Sequence, residues 1–550
     1  MSKIKIFALG GLNETAKNMY VVEVDKDIFV FDAGLKYDYD INLGIDYIIP
    51  DIEYLVKNKK RIKGIFITHG HPSNCGAIPD ILDLLPNVSV YGTKLTLEII
   101  KKDINPRKLG KYKFVELKPH FKLNFGKNEI FPISVTHSLP ECVCYVLYTK
   151  DGAIVYTGDF VFDSTATGHY KTDIGKLAYA GKQGVLCLLS ESFYAEKEGH
   201  TSPHNRVKYF IREVIKKHPN RIIASVFTAH YYRIQELLDV ISETHRKVVI
   251  LGKKLQDMIF EAIDEGYINI DKKIFGTLDD INDKNCIVLI SDDKEKPFAN
   301  LERIIKGYDK FITINEDDTI FITEPSYTGI EKRMVLLMDE IAMIGADAVS
   351  LSSSKHLLHH PSREDLMLMI DLMNPKYYFP VKGEYRQQYA NAEIAEELGI
   401  DKDNIILKLN GDVFELVNGE NINSKEHINT SEVLIDGKSS DDIGDLVLKD
   451  REMLGENGIV IISATLDKKT KELLGGPEIL TRGFIYVKDN QDLLEETKVL
   501  AKEVVLSAVD FDNKKVDYSR IKNGVREELG NYFYKETEAR PMIITVIQEV

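Results

Sequence analysis

Three short apolar runs in the first 160 residues each stop on a side chain able to bind a metal, and that recurrence restricts the fold more than any other feature of the chain. Ile65-Phe66-Ile67 leads into Thr68-His69-Gly70-His71, Ile133-Ser134-Val135 leads toward His137, and Ile154-Val155-Tyr156 leads toward Asp159. Apolar runs of this length read as buried strands, and groups just past strand ends meet only if the strands lie together with those ends at one edge. A lone pair of histidines is not a metal site, and His137 taken alone reads as a loop histidine satisfied by a neighbour. Three imidazoles and one carboxylate together make a four-ligand zinc set, so His69, His71, His137 and Asp159 are expected to share one pocket. The pattern breaks just beyond His71, where Ser73 and Asn74 stand in place of further acidic or imidazole ligands.

From Lys3 to about Ser192 the β-rich runs IKIFAL, MYVVEV, IFVFDAG, VSVYG and GVLCLLSES alternate with turns, which suggests sheets packed beneath helices. From about Pro203 to Leu351, RIIASVF, KVVILG, CIVLISDD and DTIFITEP alternate regularly with helical segments, as in a doubly wound α/β domain. The segment 356–397 returns to helix, a short strand YYFPVKGEY and helix; past about Leu446 a compact block carries strands and a helix of its own. The polar stretch 418–442 reads as a loop-rich connection. At 550 residues several domains are expected. No apolar run reaches the roughly 18 residues of a membrane span. MSKIKIFALGG reads as a first strand and not a signal peptide, and a cytoplasmic protein is expected. Cys75, Cys142, Cys144, Cys187 and Cys286 lie mostly in strand-like text without CxxC spacing, so they are expected to be reduced core thiols. The net charge of -15 argues against broad nonspecific binding of a polyanion and leaves room for a locally basic groove.

ALGGLNETAKNMYVVE, FDAG, THGHP, THSLPE, TGDF and PVKGEYR, in that order, resemble the metallo-β-lactamase fold of the β-CASP group, and within it the ribonuclease J family. The resemblance runs on through HHPSREDLMLMIDLMNPKYYFPVKGEYR, DIGDLVLKDR, GGPEILTRGFIYV and RPMIITVI, so it covers almost the whole chain. It implies an α/β fold: an αββα metallo-β-lactamase sandwich with an inserted doubly wound β-CASP domain and a small α+β C-terminal domain. On that basis residues 1–195 and 356–445 form the sandwich, 196–355 the β-CASP domain, 446–460 a linker and 461–550 a C-terminal oligomerisation domain. The family resemblance implies degradation of RNA from its 5′ end, with some endonucleolytic cleavage, by two zinc ions in rRNA and mRNA maturation and decay.

The departures from that family's motifs bear on the rest. The family pattern is His-x-His-x-Asp-His with a last ligand in Pro-Val-His-Gly-Glu; here Ser73, Asn74 and Lys382 occupy three of those positions. They belong to the second metal and to the acid beside the attacking water, so one zinc per chain at most is expected, or none. Lys382 is expected to place an ammonium in the space of the missing cation, against Asp159 or a phosphate. Asp32 and Glu191 match family acids that support the ligands from behind. His356, His360 and Ser362 match a phosphate-holding loop that here reads Leu358-His359-His360-Pro361-Ser362; Ser362, three residues before Asp365, also reads as a helix cap. Tyr232 replaces a family histidine, with His230 two residues away, and Asp292-Asp293 replace a Gly-Ser pair, in what reads as a solvated loop. Gly34 and Gly10-Gly11 read as turn residues.

These features resemble the second, less active ribonuclease J type of bacteria that carry two. The expected function is a weak 5′-to-3′ exoribonuclease that works mainly as the partner subunit of an active paralogue, as homodimer or hetero-oligomer. The alternatives are a competent single-zinc 5′-to-3′ exoribonuclease with endonuclease activity, and a hydrolase of another substrate on the same fold.

Overall fold

The computed structural model describes residues 2–37, 44–201, 204–293, 295–327, 329–437, 445–485, 490–510 and 515–550, and the chain divides into two units near residue 440. The first unit begins with β1 (Lys3–Gly10), β2 (Met19–Val24), β3 (Asp27–Phe31), β4 (Tyr47–Pro50), β5 (Ile62–Phe66), β6 (Ser89–Gly92) and β7 (Lys113–Glu116). It continues with β8 (Leu123–Phe125), β9 (Asn128–Ser134), β10 (Val143–Thr149), β11 (Gly152–Tyr156) and β12 (Val185–Glu191). An insertion carries β13 (Ile222–Phe227), β14 (Val248–Leu251), β15 (Ile287–Asp292), β16 (Thr319–Ile322) and β17 (Asp347–Ser350). The chain then returns with β18 (Tyr377–Val381), β19 (Phe414–Val417), β20 (Glu420–Asn421) and β21 (Glu432–Ile435).

Two sheets form the sandwich, in the orders β20-β19-β1-β2-β3-β5-β6-β7 and β18-β12-β11-β10-β9-β8. Ile6, Val22, Phe29 and Phe31 of one interdigitate with Tyr145, Ile154, Leu189 and Phe379 of the other. Helix Lys94–Asp103 covers the outer face of the first sheet through Leu97 and Ile100. Helices Ile174–Lys182 and Arg363–Met373 cover the second through Leu177 and Met369. With apolar layers on both sides, β2 and β12 are buried along their whole length and read as mainly apolar runs, broken only by Glu23, Ser190 and Glu191.

Strand direction decides where the site lies. β9 and β11 each pair antiparallel with β10, and β11, β12 and β18 pair in parallel. The segments holding His137, Asp159, Glu191 and Lys382 therefore all leave the sheet at one edge. The insertion is an all-parallel sheet, β14-β15-β13-β16-β17, as its strand and helix alternation predicts. It departs after β12 and returns as β18, the neighbour of β12.

In the second unit β22 (Ile459–Leu466) lies between antiparallel β23 (Leu473–Arg482) and parallel β26 (Met542–Glu549), with a short β24 (Val509–Asp510) and β25 (Lys515–Val516) pair. Helices Gln491–Ser507 and Tyr518–Thr537 bury one face, packing Val505, Val525 and Phe533 on Val460, Ile462 and Leu466. The opposite face leaves Leu480 48%, Ile544 41% and Val546 38% exposed.

One expectation needs correction. Residues 446–460 are no linker: they form most of helix Asp445–Asn457 and the start of β22, because Leu, Lys, Glu and Met sustain a helix where no proline interrupts it. The stretch 418–437 is loop-rich, with the short strands β20 and β21 in it and β21 paired with β4; residues 438–442 lie outside the described ones. All five cysteines are buried free thiols. Among the described residues no helix is long and apolar enough to cross a membrane.

Candidate active site

The site is built on Asp32, which sits just past β3 with a left-handed φ of 60° and is fully buried. Its carboxylate accepts from the Thr68 amide at 2.8 Å, the Thr68 hydroxyl at 3.0 Å, Asn74 Nδ2 at 2.8 Å and the Tyr156 hydroxyl at 2.7 Å. Burial nevertheless pushes the Asp32 carboxyl up to about 7. A hydroxyl has one proton, so Thr68 Oγ1, donating to Asp32, accepts from His69 Nδ1 at 2.9 Å. That assigns His69 the tautomer whose Nε2 lone pair faces Asp159 Oδ2, 3.5 Å away. Asp32 therefore orients the His69 ring through Thr68.

Hydrogen bonds fix the other two rings in the same way. His137 Nδ1 donates to the His359 carbonyl at 2.7 Å, which leaves Nε2 as the lone-pair nitrogen, 3.7 Å from Asp159 Oδ2. His71 Nε2 donates to the Ala229 carbonyl at 2.9 Å, and its Nδ1 lies 3.2 Å from His137 Nε2. Burial, then the neighbouring imidazoles, holds the His137 ring well below the usual histidine range, so it is neutral. The ligand atoms of His69, His71, His137 and Asp159 all lie within 4.8 Å of one another.

A tetrahedral zinc with bonds of about 2.0–2.1 Å sets its ligand atoms roughly 3.3–3.4 Å apart. Separations of 3.2, 3.5 and 3.7 Å match those edges closely. Asp159 Oδ1, buried, accepts no hydrogen bond, while the oxygen that meets these separations is Oδ2, which also pairs with Lys382. These four residues fit one zinc.

Beside these four ligands the chain closes on itself through Ser73, Asn74 and Lys382. Ser73 Oγ donates to Asn74 Oδ1 at 2.7 Å, and Asn74 in turn donates to Asp32, so this corner offers neither imidazole nor carboxylate of its own. The Ser73 backbone is held by Asn18, and a Cβ on Gly34 would lie 1.7 Å from the Ser73 carbonyl. Gly34 is thus required for close approach of two loops, beyond the turn role expected of it. Lys382, 3% exposed, follows β18 with φ of 46°, its amide donating to the Gly11 carbonyl and its own carbonyl accepting from Ser192. Its ammonium pairs with Asp159 Oδ2. Burial works to raise the Asp159 carboxyl, but Lys382 and the imidazoles of His69 and His360 outweigh it and hold the group below the usual range.

His360 stands beside this cluster, its ring 5.3 Å from that of His137 and 4.5 Å from Phe193. Its Nδ1 is 2.7 Å from Glu191 Oε2, and Glu191 Oε1 accepts from the Phe160 amide. Burial, then the charge of Asp159, pushes the Glu191 carboxyl well above its ordinary range. Asp159, Glu191 and His360 also bring their ligand atoms together.

Ser362 forms the helix cap read from the sequence, His356 has partners of its own, and only the solvated-loop reading of Asp292 is overturned. Ser362 is fully buried, completes a capping box with Asp365 and bonds Thr201 Oγ1 at 2.5 Å, so it serves the start of helix Arg363–Met373. His356 accepts from the Ser352 amide at 3.0 Å and packs its ring on Phe210, outside the imidazole cluster. Asp292 is not solvated: it is 4% exposed and accepts from the amide of Phe298, a residue in the left-handed region with φ 61°. Asp293 accepts from the Thr228 hydroxyl.

Sequence reasoning misses His359, Ser138 and Thr68 as site residues and reads His230 as displaced. His359 positions His137 through its carbonyl, and its Nδ1 is 3.2 Å from His230 Nε2. His230 Nδ1 lies 2.5 Å from Glu324 Oε1. Ser138 Oγ lies 3.1 Å from His71 Nε2. The doublet His359-His360 is the one available signal.

Comparisons with known proteins agree with this anatomy. Family models match residues 12–184 (metallo-beta-lactamase superfamily), 219–341 (ribonuclease J, beta-CASP domain), 353–406 (Zn-dependent metallo-hydrolase RNA specificity domain) and 446–550 (ribonuclease J C-terminal domain). The chain is 36% identical over 551 residues to ribonuclease J 2 of Staphylococcus aureus (strain MRSA252), covering 100% of this chain and 98% of that protein. It is 38% identical over 553 residues to ribonuclease J2 of Bacillus subtilis (strain 168), covering 100% and 99%. A crystal structure of a protein of unknown function from Enterococcus faecalis V583 shares the fold, with a TM-score of 0.53 at 16% identity over 75% of this chain and 100% of that one.

Proposed function

Because the chain belongs to the ribonuclease J family and is a nuclease of RNA processing, we propose that it is the weakly active member of a pair. In this reading it trims RNA from the 5′ end slowly, with one zinc at most, and acts mainly as the partner of an active paralogue in the cytoplasm. The observation that carries this is the Lys382–Asp159 ion pair, set beside the Asn74–Asp32 bond, in the ground of a second cation.

Phosphodiester cleavage by two metals uses one cation to activate water and another to hold the scissile phosphate. When bound, a single zinc would supply a Lewis acid and a water with pKa near 7. His69, His71, His137 and Asp159 would hold it, each imidazole already turned to present a lone pair. Lys382 adds positive charge without Lewis acidity, and it competes for the Asp159 oxygen that the zinc would take. His360, held by Glu191, is the group placed to pass a proton to a leaving oxygen.

Assembly is supported by the exposed face of the C-terminal sheet. Across it Ile461, Leu480 and Ile544 form one row, with Arg482 a row to one side and Glu478 a row to the other. A like domain turned over that row by a two-fold would set Arg482 against the partner's Glu478 and apolar side chains against each other. We read this face as the contact with a sister subunit's C-terminal domain.

The test is degradation of 5′-monophosphorylated RNA with bound zinc counted on the same sample, beside the triple variant Ser73→Asp, Asn74→His, Lys382→His. A slow parent with one zinc or none, and a variant that gains both zinc and rate, are expected. A second reading, a competent single-zinc exoribonuclease, is favoured by the convergence of three lone pairs. Fast parental turnover that His69→Ala abolishes decides for it and against the first.

A further inference from the structure

Residues 101–127 hold nine lysines and arginines against two acids, Asp103 and Glu116, a local charge of +7 in a chain whose total is -15. They span the end of helix Lys94–Asp103, strands β7 and β8 and the segments between. β7 is the edge strand of one sheet and β8 the edge strand of the other. Being consecutive, they bring both edges, and all this charge, to one side of the sandwich.

Part of the charge is neutralised: Lys102 pairs with Glu261, Lys108 with Asp83 and Lys122 with Glu129. Among the described residues Arg107, Lys111, Lys113, Lys118 and Lys127 have no carboxylate within ion-pair distance, and all five are exposed. Phe121, between Lys118 and Lys122, is 67% exposed. Lysine on an edge strand commonly guards against edge-to-edge pairing. Here β7 carries one, Lys113, and β8, Leu-Asn-Phe, carries none, so that device does not account for the cluster.

The run also has a direction relative to the site. β5, β6 and β7 are parallel, so Lys118, just past β7, lies at the edge of the sheet where His69 and His71 emerge. β8 runs antiparallel to β9, away from that edge, and Lys127 after β8 and Lys111 before β7 lie at the far end. β7 is two places from β5, roughly 10 Å at the usual strand spacing.

We propose that this edge is a second RNA-contact surface: a track of ammonium groups with Phe121 as a stacking platform, on which single-stranded RNA lies as it leaves the active site. Free cations in line suit a phosphate backbone, and an exposed ring among them suits an unpaired base. The acidic remainder of the chain disfavours RNA elsewhere, which confines binding to this track and the site. The choice of ligand rests on the RNA-handling function given above.

Binding of a uridine-rich 5′-hydroxyl oligonucleotide to the full chain, in chelator so that no turnover occurs, tests this across a range of salt. The variant Lys111→Gln, Lys113→Gln, Lys118→Gln, Lys127→Gln should reduce the slope of log affinity against log salt by about 0.7 for each phosphate no longer neutralised, near 3 in all. Affinity at low salt should fall at least tenfold. Phe121→Ala should weaken binding about tenfold with the slope unchanged. The control Lys59→Gln, Lys60→Gln, at exposed lysines elsewhere, should bind as the parent does. A quadruple variant with parental slope and affinity, or a control that loses as much, overturns the track while leaving the nuclease reading intact. A parent that binds no RNA at all removes both.

Discussion

At position 382 the backbone is fixed at both ends, by the Gly11 carbonyl and the Ser192 amide, so the side chain that stands there is aimed at Asp159. Lys382 thereby supplies, from within the chain, a positive charge that four metal-type ligands, three of them buried, would otherwise draw from solution. Removing one partner of a buried pair costs about 3–5 kcal/mol, since the other charge is left without compensation. Lys382→Met is expected to lose that much stability in chelator and to recover much of it when zinc is added, as read by urea unfolding under both conditions. Equal stability of parent and variant in chelator would show that Lys382 does not serve as the cation. The ligands themselves were legible in the sequence because a strand followed at once by His or Asp is a local signal. His359 and Ser138 were not, because their roles depend on partners such as His137 and His71 that lie 222 and 67 residues away.

At the scale of single elements, the end of β15 shows how a charged pair of letters misleads. Asp292 and Asp293 read as a solvated loop, yet the sheet buries Asp292 beneath the turn to Phe298, and that burial pushes its carboxyl up to about 7. The unfolded group titrates near 3.9, so the fold binds this proton more tightly than the unfolded chain does. Stability from this group is then lost as pH rises from about 4 to about 7 and is level beyond. Asp292→Asn keeps the acceptor for the Phe298 amide and removes the titration. The variant should therefore gain on the parent with rising pH, by roughly 3 kcal/mol between about pH 5 and about pH 8. Thermal unfolding at about pH 5 and about pH 8 checks this, and a gap that does not widen contradicts it. Strands were the most legible elements, since β13, β15 and β16 are mainly apolar and β-branched runs between polar segments. Helix Asp445–Asn457 was not legible because, apart from Gly455 near its end, nothing in its letters separates a helix from a charged connection.

At the scale of the whole molecule, the order of domains was legible because each block has its own period: strands with intervening loops, then regular strand and helix alternation, then a compact α+β end. What lies on the outside of the C-terminal sheet was not, since alternation says which residues are buried and not what the other face meets. If that face joins subunits, Leu480→Glu with Ile544→Glu should turn assembled protein into monomer in sedimentation, with each domain still folded by circular dichroism. Retention of the assembled state would place the contact elsewhere. The insertion between β12 and β18 has its own bearing on how the protein is made. These two strands are sheet neighbours, yet about 185 residues lie between them, and at 5–20 residues per second a ribosome takes roughly 10–40 s to produce that length. Throughout that interval the nascent sandwich presents β12, apolar from Val185 to Leu189, as a bare edge, and Lys382 has not yet been synthesised. The interval is a window in which a chaperone or a protease has access that the finished molecule denies, and the supply of this protein depends on what reaches the edge first.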